Sequence, residues 1–509
     1  MKERIPIKKS VLFCFIALIC GLLASLSLPP VNLWIMPFPA IAILFYILSD
    51  TSAVNKKRAF AIGFSFAVGQ FILGLLWADY FTAVGYLLLV AIESLFFGLA
   101  GFVAAATGKS RMLALPALFC LAEYARDNWP FGGLPIGSLA LGQTDSPLIN
   151  LARLGGPILI VFYLYLFASC VAFLVRLLTE GRKNAGAKIK PLLRTAVKLV
   201  FLAGLLSFSV VAPDGGGPKY YIKAAAVQGG GRRGLGYEPT YIAKKRVFAA
   251  TLAETKKIPV SSATRLVLWP EDTVSVNSDI KNSSLTTPVA NQAHRLRAVL
   301  IAGFVVPDGA KHFYNKLVAF SQKKQIIGEF EKVHLVPFGE YVPDRSFFSK
   351  FANLSAVPKD AISGHGSGML KTPAGNLALL ISYETFFTQR GRSGVRAGGG
   401  VLLVATNTAS YASSQVPSQE LAASKIQAVS EGRSLLQAAT TGYSAAITPR
   451  GSVTGLSPLG KSDIVYTRLA YRNGSTFYDL CGSAPVIIIA ILIVIFSFLL
   501  AYKSNRSAL

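Results

Sequence analysis

Eight apolar stretches almost free of charge recur along the chain, at residues 11–28, 33–49, 59–77, 84–107, 112–125, 154–178, 195–212 and 483–502. A helix that crosses a bilayer needs about 20 mostly apolar residues. Most of these stretches supply them, and 33–49 and 112–125 are the short ones. The chain is 52% hydrophobic and 15% charged over 509 residues, whereas an ordinary soluble domain carries about 25% charged residues. A disordered chain and a plain cytosolic enzyme are both excluded.

The connections between the stretches fix an orientation, because Lys and Arg accumulate on the cytoplasmic side. Lys2, Arg4, Lys8 and Lys9 precede the first stretch, and Lys56, Lys57 and Arg58 precede the third. Lys109 and Arg111, then Arg182, Lys183, Lys188, Lys190 and Arg194, and finally Lys503 and Arg506 fill the other alternate loops. The intervening loops near 29–32, 78–83 and 127–147 hold no Lys or Arg. Eight spans with both termini in the cytoplasm fit every loop. Much of the formal charge of +26 is thus a topology signal, and nucleic acid is not an expected partner. The first stretch has signal-peptide character, but the alternation requires it as a retained helix.

This topology divides the chain into a seven-span membrane domain (1–212), an exported domain (213–480), and an eighth span with a cytoplasmic tail (481–509). The exported part has 31 basic and 17 acidic residues. That excess suits a surface lying on anionic headgroups, or reflects general basicity. Cys14, Cys20, Cys120, Cys170 and Cys481 all lie in or beside spans, so the exported domain has neither disulfides nor a thiol nucleophile. His294, His312, His334 and His365 lack zinc-site spacing. No metal and no cofactor are expected.

Along 213–480, strand-like and helix-like segments alternate. Extended runs are predicted at Ile222–Gln228, Leu266–Trp269, 298–306, 316–321, 326–331, Leu377–Ser382, Gly400–Ala405, 435–440, 443–448 and 464–470. Helices are predicted at 240–256, 284–296 and 418–433. The alternation argues for a layered α/β domain. Residues 352–370, with Gly364, Gly366 and Gly368, read as a flexible lid or as an ordinary surface loop. Polar groups sit where apolar strands end: Glu271 after Leu266–Leu268, Lys332 after 326–331, and Ser382-Tyr383-Glu384 after Leu377–Ile381. Open α/β sheets gather catalytic groups at strand ends. A carboxylate, an ammonium and a hydroxyl there can provide a base, an oxyanion-stabilising cation and a nucleophile for acyl transfer. Taken singly, each also reads as a loop residue, a solvated strand end or a cap.

Trp269-Pro270-Glu271, Lys332 with His334-Leu335-Val336-Pro337-Phe338-Gly339-Glu340, and Tyr383-Glu384 resemble the signature of the apolipoprotein N-acyltransferase family. The likeness covers essentially the whole chain, including Val227-Gln228-Gly229, Glu123…Arg126 with Gly133-Leu134-Pro135, and Glu431, Arg433, Gly442, Ser444, Pro449 and Gly451. It implies a polytopic α-helical membrane protein with eight spans and an inserted nitrilase-like αββα sandwich. It implies a monomer in the bacterial cytoplasmic membrane, with the catalytic domain outside the cytoplasm. The implied reaction moves an acyl chain from a membrane phospholipid to the N-terminal S-diacylglyceryl-cysteine of lipoproteins, the last step of their maturation. By the same resemblance Glu271 is the general base, Lys332 the oxyanion-stabilising cation and Ser382 the nucleophile. Glu340, Tyr383 and Glu384 support the site, and Tyr237 falls on a substrate loop.

The chain departs from the family pattern at several places. Ser382 stands at the family's Cys, Asn407-Thr408-Ala409-Ser410-Tyr411-Ala412 at its Asn-Asp-Ala-Trp-Phe-Gly, Gln419-Glu420 at its Gln-His, and Thr441 at an Asn. A serine is a much weaker acid than a thiol and calls for a better base, which a desolvated Lys332 could supply. A homologue that binds lipid or lipoprotein without acyl transfer, and a membrane-anchored amidohydrolase, are the alternatives. Within the spans, Glu123 is placed to pair with Arg126 at i+3. Glu93 marks either a substrate path or a helix–helix hydrogen bond.

Overall fold

In the computed structural model, residues 7–180, 189–231, 240–350, 354–355, 357–411 and 413–506 are described. They form two compact units, residues 1–212 with 481–509, and residues 213–480.

Every apolar stretch of the first unit is helical: Ile7–Ser25, Pro37–Leu48, Lys56–Gly74, Ala83–Ala106, Arg111–Arg126, Ala152–Glu180, Ile189–Val211 and Ala484–Arg506. Four helical segments are long and apolar enough to cross a bilayer by themselves: Ala83–Ala106, Pro147–Thr179, Ile189–Val211 and Ala484–Ser504. The others are shorter or more polar. Pro37–Leu48 has 12 residues and at 1.5 Å per residue falls well short of a hydrocarbon core about 30 Å thick. Small residues let these helices approach backbone to backbone. A Cβ on Gly21 would strike Phe66, and one on Gly69 would strike Leu18. Glu93 is buried, and its carboxylate accepts from Arg126 Nε at 2.7 Å. Glu93 is thus engaged in a helix–helix ion pair. Arg126 also lies 3.5 Å from Glu123, its i,i+3 partner.

The second unit is two stacked sheets. The first contains β1 (Tyr220–Gln228), β2 (Leu266–Leu268), β3 (Val274–Ser275), β4 (Val299–Asp308), β5 (His312–Phe320), β6 (Ile326–Glu331), β7 (Asp360–Ala361) and β14 (Asp463–Tyr471). Its order is β14-β1-β2-β4-β5-β6, with β3 on β4 and β7 on β5. The second contains β8 (Met369–Thr372), β9 (Gly375–Ile381), β10 (Val401–Thr406), β11 (Leu435–Ala439), β12 (Ala445–Ile447) and β13 (Val453–Leu456), ordered β13-β12-β11-β10-β9-β8.

The alternation of side chains along a strand produces the layers. Ala224, Ala226, Leu266, Leu268, Leu377, Leu379, Leu403 and Ala405 fill the space between the sheets. Their neighbours Ala225, Val227 and Val267 face outward into a second core with the helix Thr286–Leu296. Ala378, Leu380, Leu402 and Val404 pack against the helices Thr388–Arg396 and Val416–Glu431. Helices therefore cover both sheets, giving an αββα sandwich.

The stretch read as a lid or surface loop is partly strand. β7 pairs with β5 and β8 pairs with β9. Ala361 N–H, on β7, donates to the Glu340 carbonyl at 2.7 Å, and Gly364 N–H, past it, to the Lys332 carbonyl at 2.8 Å. Gly364 and Gly368 serve close packing here, since a Cβ on the first would collide with Glu331 and one on the second with the Leu379 carbonyl.

Candidate active site

β2, β6 and β9 end in the segments that carry Glu271, Lys332 and Ser382. Lys332 Nζ lies 2.9 Å from Glu271 Oε1 and 2.9 Å from Glu340 Oε1. Asn315, on β5, donates Nδ2 to the same two oxygens at 2.8 and 3.0 Å. The N–H of Asn407, just past β10, donates to Glu271 Oε2 at 3.0 Å, and Val336 N–H to Glu340 Oε2 at 2.8 Å. One cation is thus shared by two carboxylates, and Lys332 and Glu271 are both buried.

Burial works against the charge on Lys332, but Glu271 and Glu340 outweigh it and hold the ammonium above the ordinary lysine range. Burial raises the Glu271 carboxyl, Lys332 draws it back down and Glu340 raises it again. Lys332 therefore stays charged. The arrangement in which it loses its proton to act as base for Ser382 is not the one found.

Ser382 is the first residue after β9 and has φ 48°. A side chain in this left-handed region is held there at a cost of about 1–2 kcal/mol. Glu384 fixes the turn. Its carboxylate accepts from Ile381 N–H at 2.9 Å, Val333 N–H at 3.0 Å and His334 N–H at 3.1 Å, and lies 3.3 Å from Arg390 Nε. Burial raises this carboxyl, opposed by Arg390 and the three N–H groups. A single buried carboxylate thereby joins the Ser382 turn to the Lys332 segment. Tyr383 packs edge-on against Phe387, with centroids 5.0 Å apart. His334 stacks on Phe387 at 3.7 Å, and burial with Arg390 lowers its pKa to about 4.

The Ser382 hydroxyl meets Thr406, with Oγ and Oγ1 3.3 Å apart. Thr406 Oγ1 also lies 2.6 Å from Oε1 of Glu420, which is buried on the helix Val416–Glu431. Burial pushes the Glu420 carboxyl up to about 8.

Among the residues singled out from sequence, Glu271, Lys332 and Glu340 are in direct contact and Glu384 braces both loops. Ser382 is linked to them through Thr406 and Asn407 at the end of β10. Tyr237 lies in 232–239, outside the described residues, and Glu93 belongs to the other unit. Asn315 and Thr406 were missed. Asn315 had a legible signal, since it shares strand parity with the inward-facing Leu317 and Ala319 and is a polar residue on an apolar face.

Residues 20–170 match the apolipoprotein N-acyltransferase N-terminal domain, and residues 223–473 match carbon-nitrogen hydrolase. The apolipoprotein N-acyltransferase of Mycolicibacterium smegmatis is 30% identical over 453 residues, 85% of this chain and 75% of its own. That of Geobacter metallireducens is 26% identical over 484 residues, 92% of this chain and 91% of its own. That of Methylococcus capsulatus is 27% identical over 493 residues, 93% of each. With both regions matched and the likeness running through nearly the whole length, the chain belongs to the apolipoprotein N-acyltransferase family.

Proposed function

We propose that the protein moves an acyl chain from a membrane phospholipid to the α-amine of an N-terminal S-diacylglyceryl-cysteine on lipoproteins, through an acyl-Ser382 intermediate. The phospholipid ester and Ser382 exchange to give acyl-serine and a lysophospholipid. The amine then displaces Ser382, giving an amide and the free hydroxyl. The observation that carries this reading is the buried Glu271–Lys332 pair at strand ends, joined by Glu340 and linked through the end of β10 to Ser382 on its strained turn. Lys332, kept cationic, stabilises the oxyanion. Among the described residues, Oε1 of Glu271 is already taken by two donors, but Oε2 has a single one, Asn407 N–H. That leaves Oε2 able to take the proton of the incoming amine. Glu340, Tyr383 and Glu384 hold the geometry.

In the same reading the first unit forms eight spans in the bacterial cytoplasmic membrane, with both termini inside, the 213–480 unit outside and the protein a monomer. Exposed apolar side chains such as Leu87, Leu88, Val197, Val200, Ile488 and Leu492 make surfaces suited to lipid. The test is acyl transfer from phospholipid vesicles to a diacylglyceryl lipopeptide by the purified protein and its Ser382→Ala and Ser382→Cys variants. Transfer lost only in the Ala form supports the proposal. Gain only in the Cys form, or silence from all three folded proteins, refutes it and favours a lipid- or lipoprotein-binding role.

A further inference from the structure

We infer that Ser382 is activated by a proton relay through Thr406 to Glu420, a route separate from the Glu271–Lys332–Glu340 cluster. The inference rests on the acyl-serine chemistry proposed above. Among the described residues, the Ser382 hydroxyl meets Thr406, whose Oγ1 is placed as a donor to Ser382 Oγ at 3.3 Å. Thr406 has one hydroxyl proton and two neighbours. An ionised Glu420, at 2.6 Å, claims that proton, because a charge-assisted hydrogen bond is the stronger one. With that proton on Glu420, the Ser382 hydroxyl turns to donate to the Thr406 oxygen, reversing the direction of their hydrogen bond in the resting structure. The wire thus runs from Ser382 to Thr406 to the Glu420 carboxylate.

The placement follows from the fold. Ile381 and Ala405 are register partners on β9 and β10, so Ser382 and Thr406 emerge side by side. Glu420 reaches Thr406 from the helix Val416–Glu431 that covers this sheet. The charged groups acting on Glu420 are Glu271, which disfavours its ionisation, and Lys332, which favours it. Glu384, in the turn that packs on the same helix, is held by Arg390 and three backbone N–H groups. Burial outweighs the Thr406 hydrogen bond and places the Glu420 carboxyl at about 8. It is therefore a stronger base, when ionised, than an ordinary carboxylate, as a serine nucleophile requires.

In the acylation step, Ser382 Oγ attacks the ester carbonyl. Its proton passes to Thr406, and the Thr406 proton passes to Glu420. When the tetrahedral intermediate collapses, the ester C–O bond breaks and the departing alkoxide regains a proton back along the relay. Thr406 touches the reacting atom, and Glu420 acts through it.

The test is the labelling rate of Ser382 in the detergent-solubilised full chain by a long-chain alkyl fluorophosphonate, which reads nucleophile activation without any acceptor. The rate is expected to rise about tenfold per pH unit and level off above about 8. At pH 9, Glu420→Gln and Thr406→Val should label about a hundredfold more slowly, while Thr406→Ser retains most of the native rate. At pH 6 native Glu420 is protonated, so Glu420→Gln should match it. That convergence separates the relay from a merely structural role. Native-rate labelling of Glu420→Gln at pH 9, or no labelling of the native protein at any pH, overturns the relay. Native labelling that follows this profile, without transfer to the lipopeptide, leaves the relay standing and refutes the acceptor proposed above.

Discussion

Lys332→Met tests the charge cluster most directly. It removes the ammonium that sits 2.9 Å from both Glu271 and Glu340, leaving two carboxylates that share Asn315 as donor. Taking one partner out of a buried ion pair costs about 3–5 kcal/mol. For a domain of this size, each kcal/mol lowers the melting temperature by about 2–4 °C. The variant should therefore melt about 6–20 °C below native at pH 8, followed by intrinsic fluorescence of the full chain in detergent. The sign with pH follows from linkage. In the variant at least one carboxyl has a folded pKa above its unfolded value of about 4.3. The folded state then binds the extra proton, so stability is lost as pH rises above that value and returns as pH falls. The deficit should shrink at pH 5, and adding Glu340→Gln should recover much of it at pH 8. A variant that melts at the native temperature at pH 8, or whose deficit ignores pH, refutes the shared-cation account.

Four further outcomes follow from the same geometry. Glu384→Ala should lower the melting temperature by several degrees and reduce acyl transfer more than binding of the lipopeptide, because it frees the three N–H groups that join the Ser382 and Lys332 segments. Gly303→Ala should slow transfer, since the new Cβ would lie 2.7 Å from Glu271 Cα and must push the Glu271 loop; steady-state kinetics beside melting curves would show it. Arg126→Met should destabilise far more than Glu93→Gln in thermal melts, because the first strands Glu93, Glu123 and Asp127 together, whereas the second leaves Arg126 its other two partners. Glu420→Gln should be more heat-stable than native at pH 9 and equal to it near pH 4: burial raises the folded Glu420 pKa to about 8, so native stability falls as pH climbs from about 4.3.

Strands buried on both faces were the plainest in the sequence, although the partly exposed β6 and β14 were legible too. All six residues of β10 and all three of β2 are buried, and such runs read as uninterrupted apolar segments. β8 and β13 did not read, because they are the outer strands of their sheet, carry mixed exposure and show no clean alternation. The helix Thr388–Arg396 was invisible for another reason. Its sequence TQRGRSGVR has one large apolar residue, Val395, so its formation depends on tertiary packing rather than on period. At the site, residues ending apolar strands were legible because a charge after an apolar run is conspicuous. Thr406 was not, since a threonine closing a β-branched strand is what propensity alone would place there.

The acidity of the nucleophile decides what its base has to do. A thiol near its ordinary pKa of about 8.5 yields its proton to a modest base, and a cluster whose carboxylate is already committed to Lys332, Asn315 and a backbone N–H is sufficient for it. A serine hydroxyl is not so easily ionised. Ser382, Thr406 and Glu420 form one hydrogen-bonded line. In the proposed relay a buried carboxyl raised to about 8 serves Ser382, which leaves Lys332, held charged by its two carboxylates, for the oxyanion.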